Sequence, residues 1–429
     1  MATTLRLFPL AASRVVALVF GSVFDAVNGI EPRFQPLHVE SMDDAWKGWV
    51  AEGLPTAKDW RKFIERPVKG IPLASHLVSR NAAAQSNSQT DGVGNPMFRT
   101  DSSVTTVPAT SKTVPHWTSS FTYQGVTYPF TMVGTDPAAS NSETIVDVAI
   151  IPFDFVFADG ASLDAGGKVA NVLGSPNFQH APYTSGTTQF GDAVQRAEFW
   201  PHVSTTSPNW HTLLTSTPAV YPTQVIQVPQ GQATVLVGRV SHKVLALMSD
   251  SWFSDRLNQV INDLHIPSTT LPIVLTYNTF LYQHSLSNCC ILGYHGATRS
   301  LNGNGKQQIQ TFIFAAWTDS NIFSAGIADV LPLSHEISEW MNDPFIHNLV
   351  PPWQFPGVPG SCQGNLETGD PVEVLANPDF PVTINGFTYH PQIEAILPWF
   401  TREVPSSAIS GAYSYPDTTK LTGPSQPCQ

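Results

Sequence analysis

The sequence predicts an α+β fold, in which a β-rich module is followed by a domain with one central short helix and long Pro- and Gly-rich loops. From about residue 116 onward, apolar runs of strand length alternate with turn residues. Segments 189–200 and 331–343 instead carry an apolar side at helical spacing. The 429 residues include 36 Pro and 29 Gly but only 13% charged residues, a composition typical of turn-rich β proteins outside the cytoplasm.

Changes in composition divide the chain into four predicted parts. Residues 1–40 form an apolar N-terminal segment, and residues 41–110 hold short helices followed by a polar linker. The β-rich module spans residues 111–245, and the final domain spans residues 246–429. A chain of this length is sufficient for two or three domains with a sizeable core.

The N-terminal segment supports two interpretations. Basic residues precede the apolar run Val15–Phe24, an order that resembles a secretory signal. Residues 14–40 also resemble the N-terminal segment of bacterial vanadium-haloperoxidase and PAP2-like proteins. That family's oxyanion pocket needs three motifs. The Arg-Pro pair at 66–67 lacks the family's lysine, the Ser-His pair at 75–76 lacks its glycine, and the third motif is absent. The pocket chemistry is therefore not carried over.

Each element after residue 116 follows from a local pattern. Two strands are predicted around the turn Gln124-Gly125, and the buried run Thr144–Phe153 predicts another. Further strands are predicted over 223–229, 234–238 and 271–277. Helices are predicted over 189–200 and 244–264. A strand pair is predicted from 289–296 and 308–317, joined by the glycine-containing turn 301–306.

Charge and apolarity exclude two classes of partner. The formal net charge is −12 and no cluster of Lys or Arg occurs, which argues against nucleic-acid binding. No segment reaches the roughly 20 apolar residues of a membrane-spanning helix. The four cysteines, Cys289, Cys290, Cys362 and Cys428, allow up to two disulfides in an oxidising compartment, with three possible connectivities, or four reduced thiols in a reducing one.

The segment 331–344 carries the clearest chemical pattern. His335 and Glu339 are four residues apart, so a helix places both on one face, with Glu336 beside them. This spacing is that of the zinc-binding His-Glu-x-x-His helix, with glutamate in place of the second histidine. Asp329 is predicted to cap the helix, and Pro344 to end it.

A hydrolytic metal site needs three protein ligands and a carboxylate that takes a proton from the metal-bound water. His335 and Glu339 are the predicted ligands, and Glu336 is the predicted base. The third ligand is open among Glu367, Asp370 and Glu373, which share one turn-forming stretch, and Asp343, which lies one turn beyond Glu339. A set rich in carboxylates also suits Ca, Mn and Fe besides Zn.

Two further histidines have predicted roles, and the motif also has an interpretation without a metal. His295, at a strand end, is assigned a structural role in preference to a place in the site. His390, beside Tyr389, is a candidate oxyanion donor from a later loop. In the alternative without a metal, His335 and Glu339 form only a pair on the helix surface, and Asp343 and Asp370 serve as turn or cap residues.

The motif Ser334-His-Glu-Ile-Ser-Glu-Trp-Met-Asn-Asp-Pro344, followed by Glu367-Thr-Gly-Asp370, resembles a group of secreted bacterial zincin-like metallopeptidases. The similarity runs over about residues 110–410. It implies a zincin-like metallohydrolase domain, with metal ligands at His335 and Glu339, the general base at Glu336, and a later ligand at Glu367 or Asp370. The glutamate at the second histidine position departs from true zincins.

The sequence therefore predicts a secreted or periplasmic metal-dependent hydrolase, and specifically a metallopeptidase. Its cofactor would be Zn, with Ca or Mn as alternatives, and its substrate a peptide or another carbonyl compound. The alternative is a non-catalytic secreted or surface-binding protein, in which a metal or a carboxylate cluster only stabilises the fold.

Overall fold

A mixed sheet with three parallel strands at its centre organises the protein. The computed structural model describes residues 112–238, 241–283, 286, 289–301, 307–323, 327–357 and 362–428. The predicted N-terminal segment 1–40 and linker 41–110 lie outside the described residues. Within them, strands and helices are both present, so the α+β class is confirmed.

The strands, in chain order, are β1 His116–Tyr123, β2 Val126–Val133, β3 Glu143–Phe157, β4 Ser162–Leu163, β5 Ala181–Tyr183, β6 Gly186–Thr188, β7 His211–Leu214, β8 Ala219–Val220, β9 Gln224–Val228, β10 Ala233–Val237, β11 Val244–Ser249, β12 Thr270–Tyr277, β13 Thr279–Tyr282, β14 Cys289–Ile291, β15 Gly293–Leu301, β16 Gln307–Trp317, β17 Leu349–Gln354, β18 Cys362–Asn365, β19 Val382–Ile384, β20 Phe387–Tyr389, β21 Glu394–Ala395 and β22 Ser414–Tyr415. The α-helices are α1 Val169–Leu173, α2 Phe190–Glu198, α3 Trp200–Val203, α4 Asp250–Asp263, α5 Leu331–Asn342, α6 Asp370–Glu373 and α7 Leu397–Thr401.

The main sheet has the order β15-β16-β12-β3-β4, and β7, β8 and β9 pair with β3. Strands β3, β12 and β16 are parallel, with Ile273 of β12 opposite Ile150 on one side and Ile313 on the other. Strand β15 runs antiparallel to β16 and lies at the end of this order. The main sheet thus contains strands that precede residue 245 and strands that follow it. The two parts predicted on either side of the boundary between residues 245 and 246 therefore share this sheet.

The two faces of the sheet are buried by different layers, because successive side chains of a strand point to opposite faces. Ile273, Leu275, Ile313 and Ala315 pack with Ile337 and Trp340 of α5. The intervening residues Val274, Phe312 and Phe314 pack with Phe253 and Leu257 of α4 and with the four-stranded sheet β10-β11-β13-β14. The parallel strands are consequently almost continuous apolar runs, as expected for a sheet covered on both faces.

One predicted helix was wrong in its first part. Residues 244–249 form strand β11, and the helix α4 begins only at Asp250. The apolar run of β11 pairs antiparallel with β10 and parallel with β13, so tertiary hydrogen bonding decides its conformation. A second correction concerns residues 289–291, which form β14 in the four-stranded sheet, whereas the strand that pairs with β16 begins at Gly293.

Several other predictions were confirmed. The strands β1 and β2 flank Gln124 and Gly125, whose φ angles of 49° and 80° are those of a tight hairpin turn. The helices α2 and α5 and the strands β3, β9, β10 and β12 cover the predicted segments. Segment 302–306, the centre of the predicted turn between β15 and β16, lies outside the described residues.

The C-terminal part consists of short elements that cover α5. Its strands form three separate two-stranded sheets, β17-β18, β19-β20 and β21-β22. A disulfide joins Cys362, the first residue of β18, to Cys428 across a sequence separation of 66 residues. In the described parts of the chain, no helix has the length and apolarity needed to cross a membrane.

The packing on the α4 face makes a quantitative prediction. Phe314 is fully buried, with its ring centroid 4.4 Å from that of Phe253 and 5.3 Å from that of Tyr294. We expect Phe314→Ala to lower the free energy of unfolding by about 3–5 kcal/mol, because it leaves a cavity between sheet and helix. Phe387, which is 39% exposed, is the matched control, and Phe387→Ala should cost under about 1 kcal/mol. Equal losses in urea unfolding would contradict the layer assignment.

Candidate metal centre

Helix α5 carries three ionisable side chains into the interior. Pro332 lies in its first turn, where its missing N–H removes no helical hydrogen bond. The helix ends at Asn342, two residues before Pro344. His335, Glu336 and Glu339 are only 2%, 3% and 1% exposed, although each carries an ionisable group.

The predicted helix cap was wrong. Asp329 has a left-handed backbone, with φ of 40°, and Val330 occupies the cap position without a capping side chain. The Asp329 carboxylate accepts a hydrogen bond from the Val330 N–H at 2.6 Å and two from His390, through the backbone N–H and Nδ1. Asp329 therefore positions the later loop against the start of α5.

Strand β15 brings His295 to the helix. His295 is 4% exposed, and its Nδ1 lies 3.2 Å from Glu336 Oε2 and 3.6 Å from Glu339 Oε2. Two residues earlier, a Cβ atom on Gly293 would lie 2.8 Å from Glu336 Cγ. A glycine at this position lets the helix carboxylate approach the strand. The sequence-based preference for a purely structural His295 does not match this placement.

The segment after β18 brings Glu367 and Asp370. Both are fully buried. Asp370 Oδ1 lies 3.6 Å from His335 Nε2, and Glu367 Oε2 lies 3.8 Å from His295 Nε2. These residues complete what we call the His–carboxylate cluster, which comprises His295, His335, Glu336, Glu339, Glu367 and Asp370.

The hydrogen bonds of Gln392 determine which nitrogen of His335 faces the cluster. The Gln392 side-chain amide donates to the Gly369 carbonyl at 2.6 Å, which leaves its Oε1 to accept from His335 Nδ1 at 3.1 Å. Nδ1 therefore carries a proton, and Nε2 faces Glu339 Oε1 at 3.2 Å. An imidazole oriented through its other nitrogen is the usual arrangement of a metal-ligating histidine.

Gly369 is required by this arrangement. A Cβ atom there would lie 2.3 Å from His335 Nδ1, so any side chain would displace the imidazole. The Gly369 N–H donates to Glu339 Oε1 at 3.2 Å. This one residue therefore contacts both of the α5 side chains that were predicted as ligands.

Burial and mutual charge set the protonation of the cluster. Burial lowers the pKa of His335, but the charges of Glu339, Glu336 and Asp370 outweigh it and hold this pKa well above 6.5. Burial raises the pKa of Glu336 above 4.5, although the hydrogen bond from His295 and the charge of His335 oppose that shift. In the absence of a cation, a proton on the His335 imidazole therefore offsets part of the negative charge.

Two more buried carboxyl groups, those of Glu373 and Glu394, lie around the cluster. Burial, followed by the charge of Asp370, raises the pKa of Glu373 well above 4.5. Burial likewise raises the pKa of Glu394 well above 4.5, against the opposing charge of His335. Neither oxygen of Glu373 has a hydrogen-bond partner among the described residues. Such a concentration of buried carboxyl groups is typical of a site that receives a cation.

The side chains fit a metal ion by their chemistry and their convergence. His335, Glu339 and Asp370 form one set, and His295, Glu336 and Glu339 form another. In each set the candidate ligand atoms lie within 4.8 Å of one another. Mixed imidazole and carboxylate donors suit Zn, Mn and Fe, whereas Ca is bound by oxygen ligands alone.

Of the predicted ligands, His335, Glu339 and Asp370 come together, and Glu336 lies beside them with Oε1 at 4.0 Å from His335 Nε2. Glu367 approaches His295 instead. Asp343 has the turn role of the structural alternative, since its carboxylate accepts the N–H groups of residues 347 and 348 at 2.9 and 3.0 Å. His390 bonds to Asp329, and its role as an oxyanion donor stays a prediction.

Sequence reasoning missed three residues that shape the site. Gln392 and Glu394 have no motif around them, and they reach α5 only through the fold of the C-terminal segments. Gly293 lies in a Gly-x-His-Gly segment, where a glycine inside a strand is a sign of close approach by another element. That signal would have brought His295 into the site.

Comparison of the chain with protein-family models, with curated proteins and with solved structures found no match. The case for a function therefore depends on the geometry of the His–carboxylate cluster.

The close contact at Gly369 can be tested against a nearby glycine. We expect Gly369→Ala to lower the free energy of unfolding by about 1–3 kcal/mol, because its Cβ forces the His335 ring to move. Gly364→Ala is the matched control, since a Cβ there meets nothing within 4 Å. Urea unfolding in the presence of EDTA gives the comparison without a contribution from bound metal. The same stability for both variants would refute the proposed contact.

The pair of Asp329 and His390 predicts a pH dependence of stability. The hydrogen bond with Asp329 raises the pKa of His390 above 6.5 in the folded protein. A raised pKa stabilises the fold fully below the unfolded value and loses that contribution as pH rises through the folded pKa. We therefore expect the stability difference between wild type and His390→Asn to be largest near about pH 5.5 and to shrink toward about pH 9. A difference that stays constant over this range would exclude a charged pair.

Proposed function

We propose that the protein is a metal-dependent hydrolase that cleaves peptides. One observation carries the proposal: His335, Glu339 and Asp370 converge as a ligand set, while a further carboxylate, Glu336, faces the same His335 nitrogen from 4.0 Å. Hydrolysis at a metal needs a ligand set together with a separate proton acceptor. Glu336 supplies that additional group from the same helix.

His335, Glu339 and Asp370 would hold the cation, with Gln392 and Gly369 fixing the orientation of the imidazole. A bound cation supplies Lewis-acid polarisation of a carbonyl oxygen and favours ionisation of water. Glu336 would accept the proton of the attacking water and return it to the leaving amine. Burial raises the pKa of Glu336, which makes it a stronger base than an exposed glutamate.

The position of β15 supports the proposed substrate class. This strand carries His295 and lies at the end of the main sheet order, beside α5. The edge of a sheet can bind an extended peptide by main-chain hydrogen bonds. A peptide paired with β15 would pass close to Glu336, because His295 Nδ1 lies 3.2 Å from Glu336 Oε2.

The resemblance of the 334–344 motif to secreted bacterial zincin-like metallopeptidases supports the same assignment, including the zincin-like domain. It favours Zn, while the carboxylate-rich set also admits Mn. The disulfide between Cys362 and Cys428 is consistent with a secreted or periplasmic location, since such bonds persist in oxidising compartments.

A second candidate is a non-catalytic secreted or surface-binding protein with a structural metal. The observation that favours it is the burial of the ligand set, in which each of His335, Glu339 and Asp370 is at most 2% exposed. Structural sites are closed by protein ligands, whereas catalytic sites keep a position open to water and substrate. The two candidates differ in what Glu336 does.

Metal content and hydrolysis of unfolded casein together test the proposal. Glu336→Gln should keep the cation at His335, Glu339 and Asp370 but reduce hydrolysis by about 10²–10⁴-fold, because an amide accepts no proton. The double variant His335→Ala with Glu339→Ala should lose both the cation and activity. Glu143→Gln, at an exposed strand position, is the control and should match wild type.

Three outcomes would count against hydrolysis at this site. Full activity of Glu336→Gln would exclude Glu336 as the base. Wild-type protein that binds no cation would exclude the metal site. Bound metal without cleavage of casein or of a peptide library would favour the structural candidate.

A further inference from the structure

Two glutamates of the His–carboxylate cluster, Glu336 and Glu339 of α5, each face both of its histidines. Glu339 directs Oε1 toward His335 Nε2 at 3.2 Å and Oε2 toward His295 Nδ1 at 3.6 Å. Glu336 does the same, with Oε1 at 4.0 Å from His335 Nε2 and Oε2 at 3.2 Å from His295 Nδ1. Each carboxylate thus directs one oxygen toward His335 and the other toward His295, so the two glutamates lie between the two imidazoles.

In their neutral forms, the two imidazoles direct their non-protonated nitrogens at these carboxylates. His295 Nε2 lies 3.2 Å from the backbone oxygen of Asp343, which can only accept, so this nitrogen carries the proton. On His335 the proton lies on Nδ1 for the same reason, because this nitrogen donates to Gln392 Oε1. In the neutral form, His295 Nδ1 and His335 Nε2 then direct lone pairs at carboxylate oxygens, an arrangement that repels unless a cation or a proton lies between.

We propose that the His–carboxylate cluster is a two-cation centre, in which Glu339 bridges two divalent transition-metal ions and Glu336 binds only the second ion. The second ion would be held by His295 Nδ1, Glu336 Oε2 and Glu339 Oε2, a set whose ligand atoms all lie within 4.8 Å of one another. This inference rests on the proposed function only for the first ion, at His335. Imidazole with a bridging carboxylate is a donor set suited to Mn, Fe or Zn.

The formal charge of the cluster favours two ions over one. Glu336, Glu339, Glu367 and Asp370 are its four carboxyl groups, each at most 3% exposed. When all four are ionised, one divalent cation leaves a charge of −2 (−4 + 2) and two leave none (−4 + 4). Uncompensated charge is unfavourable in a buried site, so the second cation removes the remaining penalty.

Each of the two positions also has its own glycine. Gly369 makes room for the ring of His335, where a Cβ atom would lie 2.3 Å from Nδ1. Gly293 makes room for the side chain of Glu336, where a Cβ atom would lie 2.8 Å from Cγ and 2.9 Å from Oε1. The main chain thus approaches the carboxylates closely on both sides. In the two-cation centre, Glu336 binds the second ion through Oε2 and keeps Oε1 on the His335 side as proton acceptor.

Equilibrium dialysis of the full chain against Mn²⁺, after removal of metal with EDTA, tests the inference. Wild type should bind two equivalents, and its electron paramagnetic resonance spectrum should show exchange coupling between the ions. His295→Gln should keep one equivalent, with affinity for the second lowered at least tenfold and the exchange coupling lost. His211→Gln is the matched control, because His211 also faces a carboxylate, Asp192 at 2.7 Å, but lies outside the cluster.

The outcomes separate this inference from the proposed function. One equivalent in wild type, with the spectrum of isolated Mn²⁺, would overturn the two-cation centre and leave the hydrolytic site intact. No bound Mn²⁺ or Zn²⁺ would overturn both and assign protons to the positions between imidazole and carboxylate. If His295→Gln does not fold by circular dichroism, the stoichiometry and exchange coupling of wild type still decide between one ion and two.

Discussion

Burial of the charged side of α5 is the constraint on which the C-terminal half depends. His335, Glu336 and Glu339 lie at most 3% exposed, although ionised groups lose several kcal/mol of hydration when they leave water. Every element that covers this side of the helix therefore contributes a group that compensates charge or fixes a donor. β15 contributes His295, and the loop before β21 contributes Gln392, while the apolar side of α5 packs against the main sheet.

The same constraint explains the close approaches of the main chain. Carboxylates and imidazoles can share protons or cations only at short range, so bulky side chains are excluded from the contact positions Gly293 and Gly369. Ser338 and Thr368 make a hydrogen bond of 2.9 Å between their hydroxyl groups on the next turn of the helix, and Asn342 continues this polar side. The side of α5 that faces the cluster is thus buried through polar contacts, whereas an extensive apolar core covers the α4 face of the sheet.

Local pattern was sufficient to predict several of the strands and helices and the helical part of the candidate site. Periodicity identified α5, and its four-residue spacing brought His335 and Glu339 onto one face. The Glu-Thr-Gly-Asp turn offered Asp370 as one of several alternatives for a third ligand. Long-range contacts were not predictable in the same way. His295, Gln392 and Glu394 meet α5 only because β15 is antiparallel and the last segments fold back. β11 was misread because its apolar run suits a buried helix or a strand, and only pairing with β13 distinguishes them.

The position of Gln392 and Glu394 after α5 in the sequence also sets the order of events during synthesis. His295 and the α5 residues leave the ribosome well before these partners, so the orientation of the His335 ring is not fixed until residue 392 has folded into place. A polypeptide that is still being translated therefore lacks the assembled cluster. Because a domain folds as a unit once its sequence has emerged, the ligands of the proposed cation come together only after residue 392 has been synthesised.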